Sequence, residues 1–333
     1  MVKTDFEKSP RTAFMYPGQG SIEPGSHIRA IRHVSEAREL FEFATEYASE
    51  RLGKSVKKIM TEGPKEELVD TKMAQPATFI SSIVGSTALR NVLERDASRR
   101  MYHSFGMFAA MHDDEVFDTT TGLDLVIARG QFMYEAAQEK PGAMAAVFHL
   151  AEERLSEICR KYGIWVANEN SDTEIIISGE EEGVDKSQAE IEAEGGIFFK
   201  LKGVKSGAPH TPMVAIAAEK MSALVHGKRV GNFHIPVEKI HAPANLSVFS
   251  SRTVDLLRNL GDVRADIGGM TERVKWNGSV LAVVADGYRE FYETGPGNKL
   301  SKLQKRAPIM KTILQSNGVV MKTVDELINA TMV

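Results

Sequence analysis

Cysteine is nearly absent: Cys159 is the single one in 333 residues. No intrachain disulfide can form, which fits a reducing compartment, here expected to be the cytoplasm. Its neighbours Leu155 and Ile158 read as the core-facing side of a helix. Long apolar runs are missing too. None approaches the roughly 18 residues of a membrane span, so no membrane is expected as a partner. Charge of one sign is not in excess: 41 Lys and Arg against 45 Asp and Glu give a formal net charge of -4. That leaves no basic field to gather phosphate backbones, which argues against nucleic acid, although a local basic patch can still dock an acidic protein. The nine histidines show no ligand spacing with Cys or carboxylates, so no metal is expected. Met1 to Arg11 lacks the apolar stretch of a secretory signal and reads as a short disordered lead.

Hydrophobic residues at 42% and charged residues at 26% describe an ordinary globular chain. Its length suggests one large domain with a smaller one. Ala13 to Tyr16 reads as a strand stopped by Pro17-Gly18-Gln19-Gly20. Val34 to Leu52 spaces Ala37, Leu40, Phe41, Phe43, Ala44 and Ala48 as an amphipathic helix with a core face does. Gln75-Pro76-Ala77 is expected to open a second apolar helix that runs to about Leu93, with the proline in its first turn. From Gly142 the pattern becomes strand (Ala143 to Leu150), helix (Ala151 to Tyr162), two strands (Ile164 to Ala167, Glu174 to Ser178), helix (Gly183 to Glu194) and strand (Ile197 to Leu201). That βαββαβ order matches a ferredoxin-like unit. It is placed at 140–206, inserted in a discontinuous large unit formed by 1–139 and 207–333.

Tyr102-His103-Ser104-Phe105-Gly106 keeps the Ser-x-Gly half of a nucleophile elbow, a sharp strand-to-helix turn that exposes a serine hydroxyl. Alone, it equally describes an ordinary turn. Several segments then occur in one order: Tyr16 to Gly20, Ser104, Ala128-Arg129-Gly130, Gly142-Ala143-Met144, Ala167-Asn168-Glu169-Asn170, Ile177-Ser178-Gly179, Ser206 to His210, and Glu293-Thr294-Gly295-Pro296-Gly297. Together they resemble the stand-alone malonyl-CoA:acyl-carrier-protein transacylases and the related acyltransferases of polyketide synthases, over about Thr12 to Leu303.

The resemblance implies an α/β fold, with an α/β-hydrolase-like large unit built on a parallel sheet beside the ferredoxin-like one. It also implies a ping-pong acyltransferase of fatty-acid or polyketide biosynthesis. Ser104 would attack an acyl-CoA thioester and pass the acyl group to the phosphopantetheine thiol of an acyl carrier protein. Malonyl-CoA would be the substrate, with no cofactor. His210 takes the place of the catalytic base, and the backbone N–H groups of Gln19 and Phe105 that of the oxyanion hole. Arg129 would fork onto the free carboxylate of a dicarboxylic acyl group, a task suited to a planar guanidinium. Asn168, Asn170 and Asn245 read either as turn residues or as contacts to the acyl and pantetheine portions.

Some positions depart from the family. Tyr102 replaces the first glycine of the elbow, where a bulky side chain would crowd the turn unless its surroundings make room. Met107 stands where glutamate is usual, Pro209 where phenylalanine is usual, and Gly269 and Arg273 replace Gln and Pro of a segment whose backbone orients the histidine. Two other readings follow from these departures: an acyl hydrolase acting on carrier-bound chains, against which Arg129 speaks, and a carrier-protein-binding relative without catalysis, against which the joint presence of Ser104, His210 and Arg129 speaks.

Overall fold

The computed structural model of the chain describes residues 11–20, 22–26, 28–201 and 207–331. The expected lead before Arg11 and the expected join at 206 lie outside the described residues. Among the described residues ten strands form two sheets. The strands are β1 (Arg11–Tyr16), β2 (Arg99–Tyr102), β3 (Ala143–Phe148), β4 (Trp165–Glu169), β5 (Glu174–Gly179), β6 (Ile197–Lys200), β7 (Val248–Ser250), β8 (Asp255–Leu256), β9 (Tyr288–Glu293) and β10 (Val320–Thr323).

The larger sheet has the order β10-β9-β1-β2-β7-β8 and is parallel except for the β7–β8 pair. Parallel strands need crossovers and are covered on both faces, so their residues are apolar on both sides. β1 obeys this: Ala13, Phe14, Met15 and Tyr16 are all buried. Phe14 and Tyr16 join the core that holds the helices Ser35–Leu52, Thr71–Leu93 and Thr119–Glu139, while Ala13 and Met15 face the core of Trp276, Val280 and Phe291.

The helix Ser35–Leu52 buries Ala37, Phe41, Ala44 and Ala48, one stripe at three- and four-residue spacing, whereas Phe43 falls off that stripe and is exposed. The second apolar helix begins earlier than expected, at Thr71, and keeps Pro76 inside it. Asp70 explains the start, because its carboxylate accepts the Lys72 N–H at 2.9 Å and caps the first turn. Pro76 then forgoes only the bond to the Lys72 carbonyl. Burial on nearly all sides from Met73 to Leu89 offsets that loss, at about 1.5–3 kcal/mol for each large apolar side chain.

The smaller sheet has the antiparallel order β4-β5-β3-β6. This is the ferredoxin-like arrangement that βαββαβ implies. Its helices Glu152–Tyr162 and Glu181–Ala193 pack Leu155, Ile158, Cys159, Val184 and Ile191 against Ala145, Val147 and Ile177. Helix period thus meets strand period across one face. The two sheets are stitched by backbone hydrogen bonds at Val274. Val274 donates its N–H to the Ala167 carbonyl at 2.9 Å and accepts the Glu169 N–H at 2.8 Å, and the next residue, Lys275, donates to the Ser251 carbonyl at 2.7 Å. Segment 274–275 therefore ties the end of β4 to the residue that follows β7.

Candidate active site

Open parallel sheets present ligand sites beyond the carboxyl ends of their strands, where the loops diverge. The C-terminal ends of β1 and β2 lie side by side, with Tyr16 opposite Tyr102. The chain turns sharply after β2. His103 donates its N–H to the Tyr16 carbonyl at 2.9 Å, and Gly106 donates to the His103 carbonyl at 3.0 Å. Between them Ser104 sits at φ 51°, a left-handed conformation that costs a residue with a Cβ about 1–3 kcal/mol. Gly106 is dictated by space, since a Cβ there would overlap the Tyr16 carbonyl. The turn therefore presses the following helix, Met107–Asp113, against the end of β1 and lifts the Ser104 side chain clear of it.

His210 reaches this turn from a loop 106 positions away. Its Nε2 lies 2.6 Å from Ser104 Oγ. Its Nδ1 lies 2.8 Å from the main-chain carbonyl of Glu272, an atom that can only accept, so Nδ1 carries the proton and Nε2 is left with a lone pair. The His210 N–H donates to the Met270 carbonyl at 3.1 Å, and the residue is held at φ 62°. Burial pushes its pKa down to about 3, assisted by the nearby charge of Arg129 and by His103, against the opposing pull of the Glu272 carbonyl. A neutral imidazole with a free Nε2 can take the serine proton at neutral pH.

Arg129 lies in the helix Thr119–Glu139 with 3% exposure. Its guanidinium stacks over the rings of Phe105 and Phe108, at 5.3 and 5.9 Å from their centres. Nε and Nη1 have no hydrogen-bond partner, and no carboxylate pairs with it among the described residues. Burial lowers its pKa to about 10, so it stays charged at neutral pH. A buried unpaired cation is costly unless a bound anion completes it. A small cavity of about 30 Å³ joins Arg129, Ser104 and His210, with Tyr102, Met107 and Met270 in its wall. Pro209 is not part of that wall.

Beside His103 a groove of about 700 Å³ runs past Gln19 and Asn170 to the basic side chains of Lys299, Lys302 and Arg306. Gln19 follows β1 by three residues, next to Gly18, whose neighbours include His103 and Ser104, and Phe105 directly follows Ser104; neither N–H is spent on a loop or turn carbonyl among the described residues. Asn170 is buried; its side-chain oxygen meets His103 Nε2 at 2.9 Å, and its amide donates to Glu174 at 2.8 Å. Asn168 is buried next to the Val274 stitch, with its side-chain oxygen unpartnered. Asn245 is not brought to the site. It is exposed and precedes β7, so it lies at the amino end of the parallel strands, opposite the end that carries Ser104. A still larger hollow of about 740 Å³, lined by Arg51, Lys72 and Phe233 among others, contains none of the site residues.

Two neighbours of Ser104 for which no site role was expected complete the surroundings. His103 packs edge-on against Trp276 at 5.9 Å, and burial lowers its pKa. Adjacency to Ser104 was the signal available for it. Tyr102 does not crowd the turn: its phenol leaves β2 sideways, lies 2.9 Å from Ser250 Oγ and donates to Asp266. Among the described residues no helix is long and apolar enough to cross a membrane, and no three His, Cys, Asp or Glu side chains gather to hold a metal ion.

The family described as acyl transferase domain matches residues 13–253. The polyketide-biosynthesis malonyl CoA-acyl carrier protein transacylase PksC of Bacillus subtilis is 29% identical over 299 residues, covering 88% of this chain and 96% of the relative. The malonyl CoA-acyl carrier protein transacylase of Escherichia coli is 28% identical over 312 residues, covering 88% and 92%. Among solved structures, the transacylase of Xanthomonas oryzae superposes with a TM-score of 0.79 at 27% identity over 95% of each chain. A malonyl-transacylase in complex with its type II polyketide-synthase acyl carrier protein shares the fold, with a TM-score of 0.80 at 24% identity over 97% of this chain and 99% of its own.

Proposed function

Because the chain belongs to the acyl transferase domain family, we propose that it moves a malonyl group from malonyl-CoA to the phosphopantetheine thiol of an acyl carrier protein, in fatty-acid or polyketide biosynthesis. The carrying observation is a buried, unpartnered guanidinium beside a serine already in contact with a neutral histidine. Ser104 Oγ bonds to the thioester carbonyl carbon while His210 Nε2 takes its proton. The oxyanion meets the N–H groups of Gln19 and Phe105, and charge that develops in a dry site gains most from such fixed donors. Collapse breaks the carbon–sulfur bond, and the departing CoA sulfur takes the proton back from His210. The carrier thiol then runs the sequence in reverse and frees Ser104.

Arg129 holds the malonyl carboxylate, which an acetyl group lacks. The groove past Asn170 takes the pantetheine arm, with Lys299, Lys302 and Arg306 at its outer end facing the phosphates or an acidic carrier. Asn170 borders that path, with Asn168 buried two residues before it beside Val274. The reaction takes place without a cofactor and in the cytoplasm. Residues 1–139 and 207–333 act as one discontinuous unit bearing Ser104 and His210, and 140–206 as a second unit that covers them.

Steady-state kinetics with malonyl-CoA and a holo acyl carrier protein test this reading. Parallel double-reciprocal lines, with malonyl appearing on the carrier, are expected. Release of free malonate at the same rate, with or without the carrier, would replace transfer by hydrolysis.

A further inference from the structure

Tyr102 and Gly269 depart from the family pattern at positions far apart in sequence, and one chain of contacts joins them. The Tyr102 phenol donates to Asp266 inside the core. Ser250 Oγ, itself an acceptor for the Arg252 and Thr253 N–H groups at 3.2 and 3.3 Å, donates to Asp266 Oδ1 at 2.8 Å. Arg252 Nε donates to the same oxygen at 2.9 Å, and its Nη1 reaches both carboxylate oxygens of Glu272 at 3.0 and 3.2 Å. The Glu272 carbonyl holds His210 Nδ1. Gly269 leaves the space this path requires, since a Cβ there would stand 2.7 Å from Arg252 Cδ and 3.1 Å from its Nε.

We propose that Tyr102, Asp266 and Arg252 are positioning residues that fix the Glu272 carbonyl, and through it the ring of His210, so that the exchanges at positions 102 and 269 act as a matched pair. The phenol supplies from β2 an anchor that a glycine cannot, and the missing side chain at 269 lets the guanidinium cross. Burial gives the anchor its stiffness: Tyr102 and Asp266 are each 3% exposed. The Arg252–Glu272 pair, with Glu272 exposed, adds direction more than stability. The Ser104 hydroxyl gains its proton acceptor only while the ring stays aligned, and misplacement of a catalytic group by a fraction of its contact distance is costly in rate.

The inference rests on the Ser104–His210 part of the acyl-transfer reading and not on the identity of the donor, so the test uses a probe that needs no CoA. Phenylmethylsulfonyl fluoride reacts with an activated serine: Ser104 Oγ bonds to sulfur, fluoride leaves and His210 takes the hydroxyl proton. Adduct formation is followed by intact mass for wild type, Tyr102→Phe, Glu272→Ala, the double variant and Gly269→Gln, with melting temperature as the folding control. Tyr102→Phe and Gly269→Gln are expected to react about tenfold more slowly. The double variant is expected to be no slower than the slower single, because coupled residues are non-additive. With malonyl-CoA the same variants lower kcat and leave KM unchanged. Rates equal to wild type for Tyr102→Phe, or effects that multiply in the double variant, would overturn the proposal. If Tyr102→Phe fails to fold, Glu272→Ala and Arg252→Lys, nearer the surface, carry the same comparison. A wild type that reacts with the sulfonyl fluoride but never with malonyl-CoA counts against malonyl transfer and leaves the positioning network standing.

Discussion

Two residues at the site hold left-handed backbone conformations, Ser104 and His210, and each is kept there by bonds to neighbouring main chain. The chemistry follows from how their surroundings treat charge. Burial keeps His210 neutral to about pH 3, far below the ordinary imidazole value of 6.5. A depressed base stays unprotonated as pH falls, so acylation of Ser104, read as kcat/KM for malonyl-CoA, should remain flat through pH 6.5. A fall centred near 6.5 would mean that His210 titrates freely. The same shift acts on stability: the unfolded imidazole binds a proton below 6.5 while the folded one refuses it, so His210 contributes stability that is present above 6.5 and lost as pH falls toward 3. Arg129 carries the opposite cost, a buried cation awaiting an anion. Arg129→Ala should raise KM for malonyl-CoA about 10- to 100-fold while improving acylation by acetyl-CoA, measured side by side. Of these residues the sequence disclosed identities by motif, yet not surroundings. Nothing in the spacing of Tyr102 and Asp266, 164 positions apart, announces a hydrogen bond.

Strand ends and the turns that follow them decide where these side chains stand. Gly106 lets the helix Met107–Asp113 approach β1, and Gly106→Ala should destabilise the fold by about 1–3 kcal/mol in urea denaturation, because the added methyl meets backbone that cannot yield. At the end of β9 the buried carboxylate of Glu293 accepts the N–H groups of Leu300 and Ser301 at 3.0 and 2.9 Å, which caps the helix Lys299–Arg306. Glu293→Ala should cost about 1–2 kcal/mol and loosen the basic wall of the groove, seen as faster amide exchange along that helix. Elements of this kind were largely legible. The βαββαβ order emerged from short apolar strands set between helical periods, although β3 is buried on both faces and β6 on neither. Pro76 misled because a proline marks a first turn only when nothing upstream caps the helix, and Asp70 does so here. Asn245 misled for a related reason: a motif names a residue type, while strand direction decides which edge of the sheet it occupies.

The whole molecule joins a parallel sheet that carries Ser104 to an antiparallel sheet that borders the groove, through the backbone stitch at Val274 and side-chain bonds such as those of His103 and Gln304 to Asn170. Glu272, whose carbonyl meets His210 Nδ1 at 2.8 Å, lies two residues before that stitch. Transfer of this kind requires an acyl-enzyme on Ser104. Its most direct test is intact-mass spectrometry of the protein after brief exposure to malonyl-CoA, beside Ser104→Ala with its fold verified. A malonyl-sized gain is expected on the wild type, absent from the variant and discharged on adding a holo acyl carrier protein. A wild type that gains no mass, or a gain that survives in Ser104→Ala, would contradict it.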